Sequence, residues 1–154
     1  MSGRRRSATL DDLDAIVAIE RAVFGRPWEP KAWRQEIERP FAHVDVVCDA
    51  DGAVVAYACT WHVVAAGETE AHLLRIAVGP SQQRRGLGRD LLAAVLERAA
   101  AEPVTRVLLE VGASNAPAQR LYAAAGFAEI GRRAGYYKAP PDDAVVMEWR
   151  SMPA

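Results

Sequence analysis

The period of the hydrophobic positions changes several times along the chain, and each change predicts a new element. Thr9 and Asp12 form a Thr-x-x-Asp start signal, after which apolar residues recur at helical spacing. This pattern predicts a first helix of roughly 15 residues that ends near Gly25. Trp33 lies in a second, shorter helical pattern, which we predict to end at Pro40.

The middle of the chain alternates apolar runs with turn signals. Runs at 44–48 and 53–64 flank an Asp-Gly turn, and this arrangement predicts a β-hairpin. A third strand is predicted over 70–78, and the spacing of three and four between apolar positions at 91–99 predicts a helix after it. The apolar run at 105–111 is typical of a buried strand.

One more helix and two more strands are predicted at the end. Asn115 begins a helical pattern that runs to about Ala125, and residues 127–133 and 144–149 resemble strands. The order helix, helix, three strands, helix, strand, helix, two strands predicts an α/β (α+β) protein with a mixed sheet and helices on both faces. We predict one domain over residues 1–154, with residues 1–7 as a flexible tail.

Composition excludes several classes of protein. The chain has 154 residues, a net charge of −1 and 25% charged residues, which fits a globular domain and does not favour nucleic-acid binding. No apolar stretch approaches the length of about 20 residues that a membrane span needs, and no secretory signal is visible, so we expect a cytoplasmic protein. Cys48 and Cys59 lie in strand-like apolar runs and are expected to be buried thiols. The three histidines, at 43, 62 and 72, show no ligand spacing, so we expect no metal site.

The turn at residues 83–89, QRRGLGR, contains the first candidate chemistry. Its two glycines let a ligand approach the backbone, and the helix that follows offers unpaired N–H groups and a positive dipole end. The three arginines add charge-assisted donors. The segment therefore predicts a phosphate-bearing ligand, although it lacks both the P-loop sequence and the Rossmann spacing. A helix cap with solvated arginines is the alternative interpretation.

The pattern Gln83-x-x-Gly86-x-Gly88 resembles the acetyl-CoA pyrophosphate loop of the GNAT superfamily of N-acetyltransferases. The pieces PWEPKAW, IAVGPSQQRRGLGRDLL, LEVGASNAPAQRLYAAAGF, RRAGYY and DDAVVMEW are similar, in this order, to the bacterial ribosomal-protein-alanine N-acetyltransferases. The resemblance implies the GNAT fold, whose central mixed, mostly antiparallel sheet has about six to seven strands with helices on both faces.

The resemblance also implies a site. Acetyl-CoA would be the co-substrate, Glu110 the general base and Tyr122 the general acid. The positions implied for binding acetyl-CoA are Ile76, Ala77, Val78, Gln83, Arg84, Arg85, Gly86, Leu87, Gly88, Arg89, Asn115 and Tyr122. The candidate positions for binding the acceptor are Trp28, Arg75, Tyr136 and Tyr137.

The residue types suit these roles. Glu110 ends an apolar strand, where desolvation makes a carboxylate a stronger proton acceptor; an edge glutamate that faces water is the alternative. A phenol such as that of Tyr122 has an ordinary pKa near 10 and can protonate a departing thiolate, or it can simply pack in the core. Asn115 also suits a plain helix N-cap, which is compatible with a role in binding.

The resemblance implies an acceptor as well. The family acceptor is the N-terminal alanine of a small-subunit ribosomal protein, and a monomer with no nucleic-acid or membrane partner is favoured. The sequence departs from the family at Gly112, where a charged residue is usual, at Arg75, where a small polar residue is usual, and in RRAGYY, which has one extra residue. Tyr136 and Tyr137 either line a peptide channel or pack across the last hairpin.

Two other functions stay open. The protein could acetylate a small amine such as a polyamine or an aminoglycoside. It could also be an acetyl-CoA binding module without catalysis, although such a module would need neither Glu110 nor Tyr122.

Overall fold

The computed structural model describes residues 4–102, 104–138 and 140–151. Within these residues the chain forms seven strands and four α-helices. In chain order they are β1 (Arg4–Ser7), α1 (Leu13–Val23), α2 (Pro30–Glu38), β2 (Ala42–Cys48), β3 (Val54–Ala65), β4 (Glu68–Val78), α3 (Leu87–Ala101), β5 (Val104–Gly112), α4 (Ala116–Ala124), β6 (Ala128–Lys138) and β7 (Pro141–Arg150). Short 3-10 turns lie at Leu10–Asp12 and Pro80–Gln82.

The strands form one mixed sheet in the order β1-β2-β3-β4-β5-β7-β6. Antiparallel pairing joins β1 to β2, β2 to β3, β5 to β7 and β6 to β7, whereas β4 and β5 run parallel. A crossover through α3 connects the parallel pair, as parallel strands require. The predicted α/β class with a mostly antiparallel mixed sheet is confirmed.

Contacts divide the chain into two compact units, which we describe separately. Unit 1 contains the described residues up to His62 together with Leu73–Val95, and unit 2 contains Val63–His72 and the described residues from Leu96 onward. The predicted single-domain extent of 1–154 stays a prediction.

The core of unit 1 forms between the apolar faces of α1 and α2 and the strands β2 and β3. Ile16, Trp33, Val46 and Tyr57 are fully buried there. The ring of Trp33 lies 5.0 Å from that of Tyr57 in an edge-to-face contact. Each large apolar side chain buried in this way contributes about 1.5–3 kcal/mol to folding. The two cysteines are free and buried, as predicted.

In unit 2 the alternation along β5 decides which side chains enter the core. Val107, Leu109 and Val111 are buried, and the residues between them are more exposed. β5 pairs with β7 in a register that places Leu109 opposite Met147. None of the helices in the described part of the chain is both long and apolar enough to cross a membrane.

The N-terminal prediction needs a correction. Residues 4–7, which we predicted as part of a flexible tail, form β1 and pair with β2 from Arg4–Cys48 to Ser7–Asp45. Arg6 also donates two hydrogen bonds, of 2.7 and 2.8 Å, to the buried carboxylate of Asp12. Residues 1–3 lie outside the described residues.

Candidate functional site

We call residues 83–89, between the end of β4 and the first turn of α3, the anion loop. Arg84 and Gly86 have left-handed backbone conformations, with φ of 66° and 78°. Left-handed residues in a tight turn point successive N–H groups toward one side, which creates a concave anion site. The hydrogen bond of 3.0 Å from the Asp90 N–H to the Gly86 carbonyl begins α3, so the N–H groups before it have no acceptor within the helix.

The side chains of the anion loop strengthen this site. The side chains of Arg84, Arg85 and Arg89 are exposed, so they are accessible to an anion. A Cβ added at Gly86 would lie 3.0 Å from the Arg89 guanidinium, so glycine leaves space for that side chain next to the turn. The loop can therefore hold a pyrophosphate with backbone N–H groups and two or three guanidinium groups.

The predicted coenzyme-binding segment at the end of β4 is partly buried. Ala77 is buried, whereas Ile76 and Val78 are half-buried. The side-chain amide of Gln83 donates a hydrogen bond of 3.1 Å to the Val78 carbonyl. Gln83 therefore fastens the anion loop to the end of the strand, and this contact gives it a structural role beside the predicted one.

Arg75 lies just before that segment, and its guanidinium contacts groups of the protein itself. It donates hydrogen bonds of 3.1 and 2.8 Å to the Glu20 carboxylate and one of 3.0 Å to the Arg26 carbonyl. It also stacks on the rings of Phe24, at 3.8 Å, and Trp28, at 5.0 Å. The predicted acceptor positions Arg75 and Trp28 are thus brought together in unit 1.

Trp28 is half-buried, and its ring centroid lies 4.8 Å from that of Trp33 on α2. This contact agrees with the alternative interpretation, in which Trp28 packs between the two helices. The partly exposed ring still leaves a surface that an acceptor could contact.

Glu110 lies on β5 in unit 2, opposite Val146 of β7. Its side chain is exposed, whereas the residues on either side of it are buried. The prediction of a desolvated carboxylate is therefore wrong for this structure, because alternation along β5 turns Glu110 away from the core. An exposed carboxylate can exchange protons directly with water.

Tyr122 lies on α4 and is 9% exposed. Burial, with a smaller contribution from Tyr137, raises the pKa of Tyr122 to about 12. Its ring packs against that of Phe127 at 5.8 Å. The phenol is thus held in its protonated form over the whole physiological pH range, as a proton donor must be.

The turn between β5 and α4 is tied to the start of β7. Asn115 caps α4 with a 3.2 Å hydrogen bond from the Ala118 N–H, so the N-cap interpretation is confirmed. Asp142 accepts hydrogen bonds from the Ser114 N–H at 3.1 Å and the Ser114 hydroxyl at 2.7 Å. A Cβ added at Gly112 would lie 2.8 Å from the Asp142 carboxylate, which explains why a larger residue is disfavoured at this departure from the family.

Tyr136 and Tyr137 lie within β6, which extends to Lys138 and so beyond the predicted end of this strand at residue 133. Their rings contact each other at 5.1 Å, and Tyr136 is 47% exposed. The pairing of β6 with β7 shifts register between Arg133 and Tyr137, where Gly135 has a φ of 61°. The RRAGYY segment is thus accommodated in a β-bulge, which lets neighbouring side chains meet.

Sequence reasoning missed Glu20, which binds two of the predicted acceptor positions. Glu20 is fully buried, and its carboxylate accepts hydrogen bonds from the hydroxyl of Tyr57 and from the Trp28 N–H as well as from Arg75. The available signal was that Glu20 continues the apolar face of α1 at helical spacing. Of the three histidines, His43 and His62 lie on paired strands with ring centroids 4.5 Å apart.

Comparisons with known proteins identify the family. The sequence profile described as the acetyltransferase (GNAT) family matches residues 13–127. The [ribosomal protein bS18]-alanine N-acetyltransferase of Salmonella typhimurium is 37% identical over 139 residues, which cover 88% of this chain and 89% of that protein.

Solved structures share the fold. The crystal structure of the ribosomal-protein-S18-alanine N-acetyltransferase from Escherichia coli superposes with a TM-score of 0.88 at 34% identity, covering 99% of this chain and 96% of that one. Arabidopsis thaliana NAA60 in complex with acetyl-CoA has a TM-score of 0.87 at 19% identity, covering 96% of this chain and 97% of that one. The second likeness shows the fold alone.

Proposed function

Because the chain belongs to the GNAT family of acetyltransferases, we propose that it transfers the acetyl group of acetyl-CoA to the N-terminal α-amine of a ribosomal protein. The observation that carries the acceptor class is the identity of 37% to the Salmonella typhimurium enzyme over nearly the full length of both chains. The favoured acceptor is accordingly the N-terminal alanine of protein bS18. The anion loop carries the donor half of the proposal, because its geometry fits a pyrophosphate.

The donor is held by unit 1. The anion loop binds the pyrophosphate of acetyl-CoA through backbone N–H groups and its arginines. Residues 76–78 hold the pantetheine arm, and a backbone N–H of this segment polarises the thioester carbonyl as negative charge develops on its oxygen. Acetyl-CoA supplies the activated acyl group, so the protein needs no covalent intermediate.

We assign the roles of base and acid in the proton transfers to Glu110 and Tyr122. Glu110 takes a proton from the acceptor ammonium, directly or through a water, and its exposure lets it pass that proton to solvent. The free amine attacks the carbonyl carbon, the C–S bond breaks, and the electron pair leaves with the sulfur. The buried phenol of Tyr122 acts as the acid by donating a hydrogen bond to that thiolate while the bond breaks. The second proton, which the new amide nitrogen releases, passes through water to the thiolate.

The acid–base balance favours an α-amine over a lysine side chain. An α-amino group has a pKa near 7.7–8.0 and a lysine side chain one near 10.4. Removing the proton to form the neutral amine therefore costs about 3.5 kcal/mol more for lysine, at about 1.36 kcal/mol per pKa unit. A single carboxylate base suits the N-terminal amine.

We also propose that the protein works in the cytoplasm, where ribosomal proteins are made. We propose that it acts as a monomer and has neither a nucleic-acid nor a membrane partner.

Thiol release from acetyl-CoA with four acceptors tests the proposal. The acceptors are an Ala-starting peptide of bS18, the same peptide with a blocked N-terminus, spermidine and an aminoglycoside. We expect release with the free peptide only, with a mass increase of one acetyl group at its α-amine. Release with spermidine or the aminoglycoside only would assign the protein to the small-amine acetyltransferases, and acetyl-CoA binding without any release would favour a binding module.

A further inference from the structure

The carboxylate of Glu20 is fully buried and surrounded by donors. We call Glu20, Tyr57 and Arg75 the Glu20 network. Both carboxylate oxygens accept hydrogen bonds, one from the Tyr57 hydroxyl and the other from Arg75 and the Trp28 N–H. Burial, followed by the hydrogen bond to Glu20, raises the pKa of Tyr57 far above its ordinary value, so its phenol remains a donor. With its oxygens so engaged, Glu20 is not available as a catalytic base.

The Glu20 network fastens residues 24–29, which connect α1 to α2 and which we call the connecting segment. Glu20 accepts the Trp28 N–H at 2.7 Å, and Arg75 donates to the Arg26 carbonyl at 3.0 Å. The Arg75 guanidinium also lies against the rings of Phe24 and Trp28. Two hydrogen bonds between side chains of the Glu20 network and backbone groups, together with two stacking contacts, therefore fix a segment that has no regular secondary structure of its own.

The same arginine is covalently next to the segment that holds the donor in the proposed function. Arg75 directly precedes residues 76–78, and neighbouring Cα atoms are about 3.8 Å apart. Alternate side chains of a strand share a face, so Arg75 and Ala77 lie on the same face of β4. The connecting segment, which Arg75 holds, therefore forms a wall on that face beside residues 76–78, where the proposed function places the acetyl group. Phe24 and Trp28 are half-buried, so their rings give this wall an apolar, partly exposed surface.

From this arrangement we infer that Arg75 is a positioning and specificity-determining residue. Held by Glu20 and Tyr57, it fixes the connecting segment as a wall that accepts a small first side chain of the acceptor and excludes larger ones. The inference rests on the proposed function for the acceptor. The rigidity of the connecting segment can be measured without any acceptor.

Arg75→Lys is the most informative variant. Lysine keeps the charge beside Glu20, so no buried carboxylate is left unpaired, but a single ammonium cannot pair twice with Glu20, reach the Arg26 carbonyl and stack on two rings. Tyr57→Phe is a milder variant that removes one donor to Glu20 and keeps the ring. Arg106→Lys is the matched control, because Arg106 also pairs with two carboxylates, Glu70 and Glu148, but in unit 2.

The first measurement is amide hydrogen exchange of Trp28 by NMR. We expect exchange at least 10-fold faster in Arg75→Lys and a smaller increase in Tyr57→Phe, because the Glu20 carboxylate is no longer held against this N–H. Exchange of Trp28 in Arg106→Lys should stay within about twofold of the original protein. Unchanged exchange in Arg75→Lys would overturn the inference.

The second measurement is selectivity between an Ala-starting and a Leu-starting peptide. We expect Arg75→Lys to lower the ratio of their kcat/KM values at least fivefold, while the Kd for acetyl-CoA changes less than threefold. A merely structural loss, as in Arg106→Lys, would reduce both peptides equally. An unchanged ratio with faster Trp28 exchange would overturn the specificity role. If the original protein acetylates neither peptide while Trp28 exchange responds as expected, the proposed function fails and the positioning of the connecting segment is supported.

Discussion

Tyr122→Phe tests the proton donor, because this change removes only the phenolic O–H from a buried side chain. General acid catalysis contributes about 10²- to 10⁴-fold to a rate, which corresponds to about 3–5 kcal/mol. We therefore expect kcat at saturating acetyl-CoA to fall at least 100-fold, with the fold unchanged. We would measure kcat as the rate of thiol release at saturating acetyl-CoA and peptide.

The pKa of Tyr122 gives this prediction a second, independent readout. At pH 10 a phenol with the ordinary pKa of 10 would be half ionised, whereas about 1% is ionised when burial raises the pKa to about 12. The rate should therefore rise as the acceptor amine loses its proton and then stay level to at least pH 10. Complete transfer from such a phenol to a thiolate, with a thiol pKa of about 8.5, costs about 5 kcal/mol. The phenol thus acts mainly as a hydrogen-bond donor while the C–S bond breaks, and solvent completes the transfer.

Two results would refute this reasoning. If Tyr122→Phe keeps kcat within twofold, the phenol is not the acid. If kcat of the original protein falls by half near pH 10 and the fall is absent from Tyr122→Phe, the phenol titrates as an exposed tyrosine and its burial does not matter. Tyr136→Phe is the control for the pH profile. Because Tyr136 is exposed, replacing it should leave the dependence of kcat on alkaline pH unchanged.

Three further changes test other parts of the site. Glu110→Gln should lower kcat by about 100-fold and leave the Kd for acetyl-CoA unchanged, which calorimetry and thiol release measure together; an unaltered kcat would remove Glu110 from the base role. Replacing all three arginines of the anion loop by alanine should weaken acetyl-CoA binding, and the loss should shrink at high salt because the missing contacts are ionic; an unaltered Kd would contradict an anion site. Hydrogen bonds from Ser114 hold the pKa of Asp142 below its ordinary value, so the carboxylate stabilises the fold above about pH 4 and loses this effect as the pH falls through its folded pKa. Asp142→Asn should therefore lower the unfolding free energy at pH 7, and the difference from the original protein should narrow at pH 3 in urea titrations; an equal difference at both pH values would contradict the assignment.

The helices and central strands could be predicted because their signals are local. The spacing of Leu92 and its apolar neighbours defines one face of α3, and the run that contains Val107 defines β5. The turn chemistry of the anion loop is also local, since Gly86 takes the left-handed conformation that glycine favours. A local pattern needs no knowledge of what the segment will pack against.

Strand pairing at the edges could not be predicted, because its causes are distant in sequence. β1 is a run of charged residues without an apolar face, and the backbone of β2 and the ion pair from Arg6 to Asp12 hold it in place. The extension of β6 to Lys138 depends on the hydrogen bond of 2.8 Å from the Gly135 N–H to Asp143 on the facing strand. The exposure of Glu110 likewise follows from which face of β5 the core covers, which the apolar run before it does not reveal.

The Glu20 network shows that a contact between residues distant in sequence can still be indicated by the sequence pattern. A carboxylate on the apolar face of α1 and a guanidinium in the apolar run of β4 are each improbable alone, because burying a single charge is costly. The two groups have opposite charge, and each compensates the cost of burying the other. Nη2 of Arg75 lies 2.8 Å from Oε2 of Glu20, although the two residues are 55 positions apart in sequence. Since an apolar pair of similar size would stabilise a core at least as well, the geometry that the two charges impose on Trp28 and the Arg26 carbonyl is the more direct account of what they do.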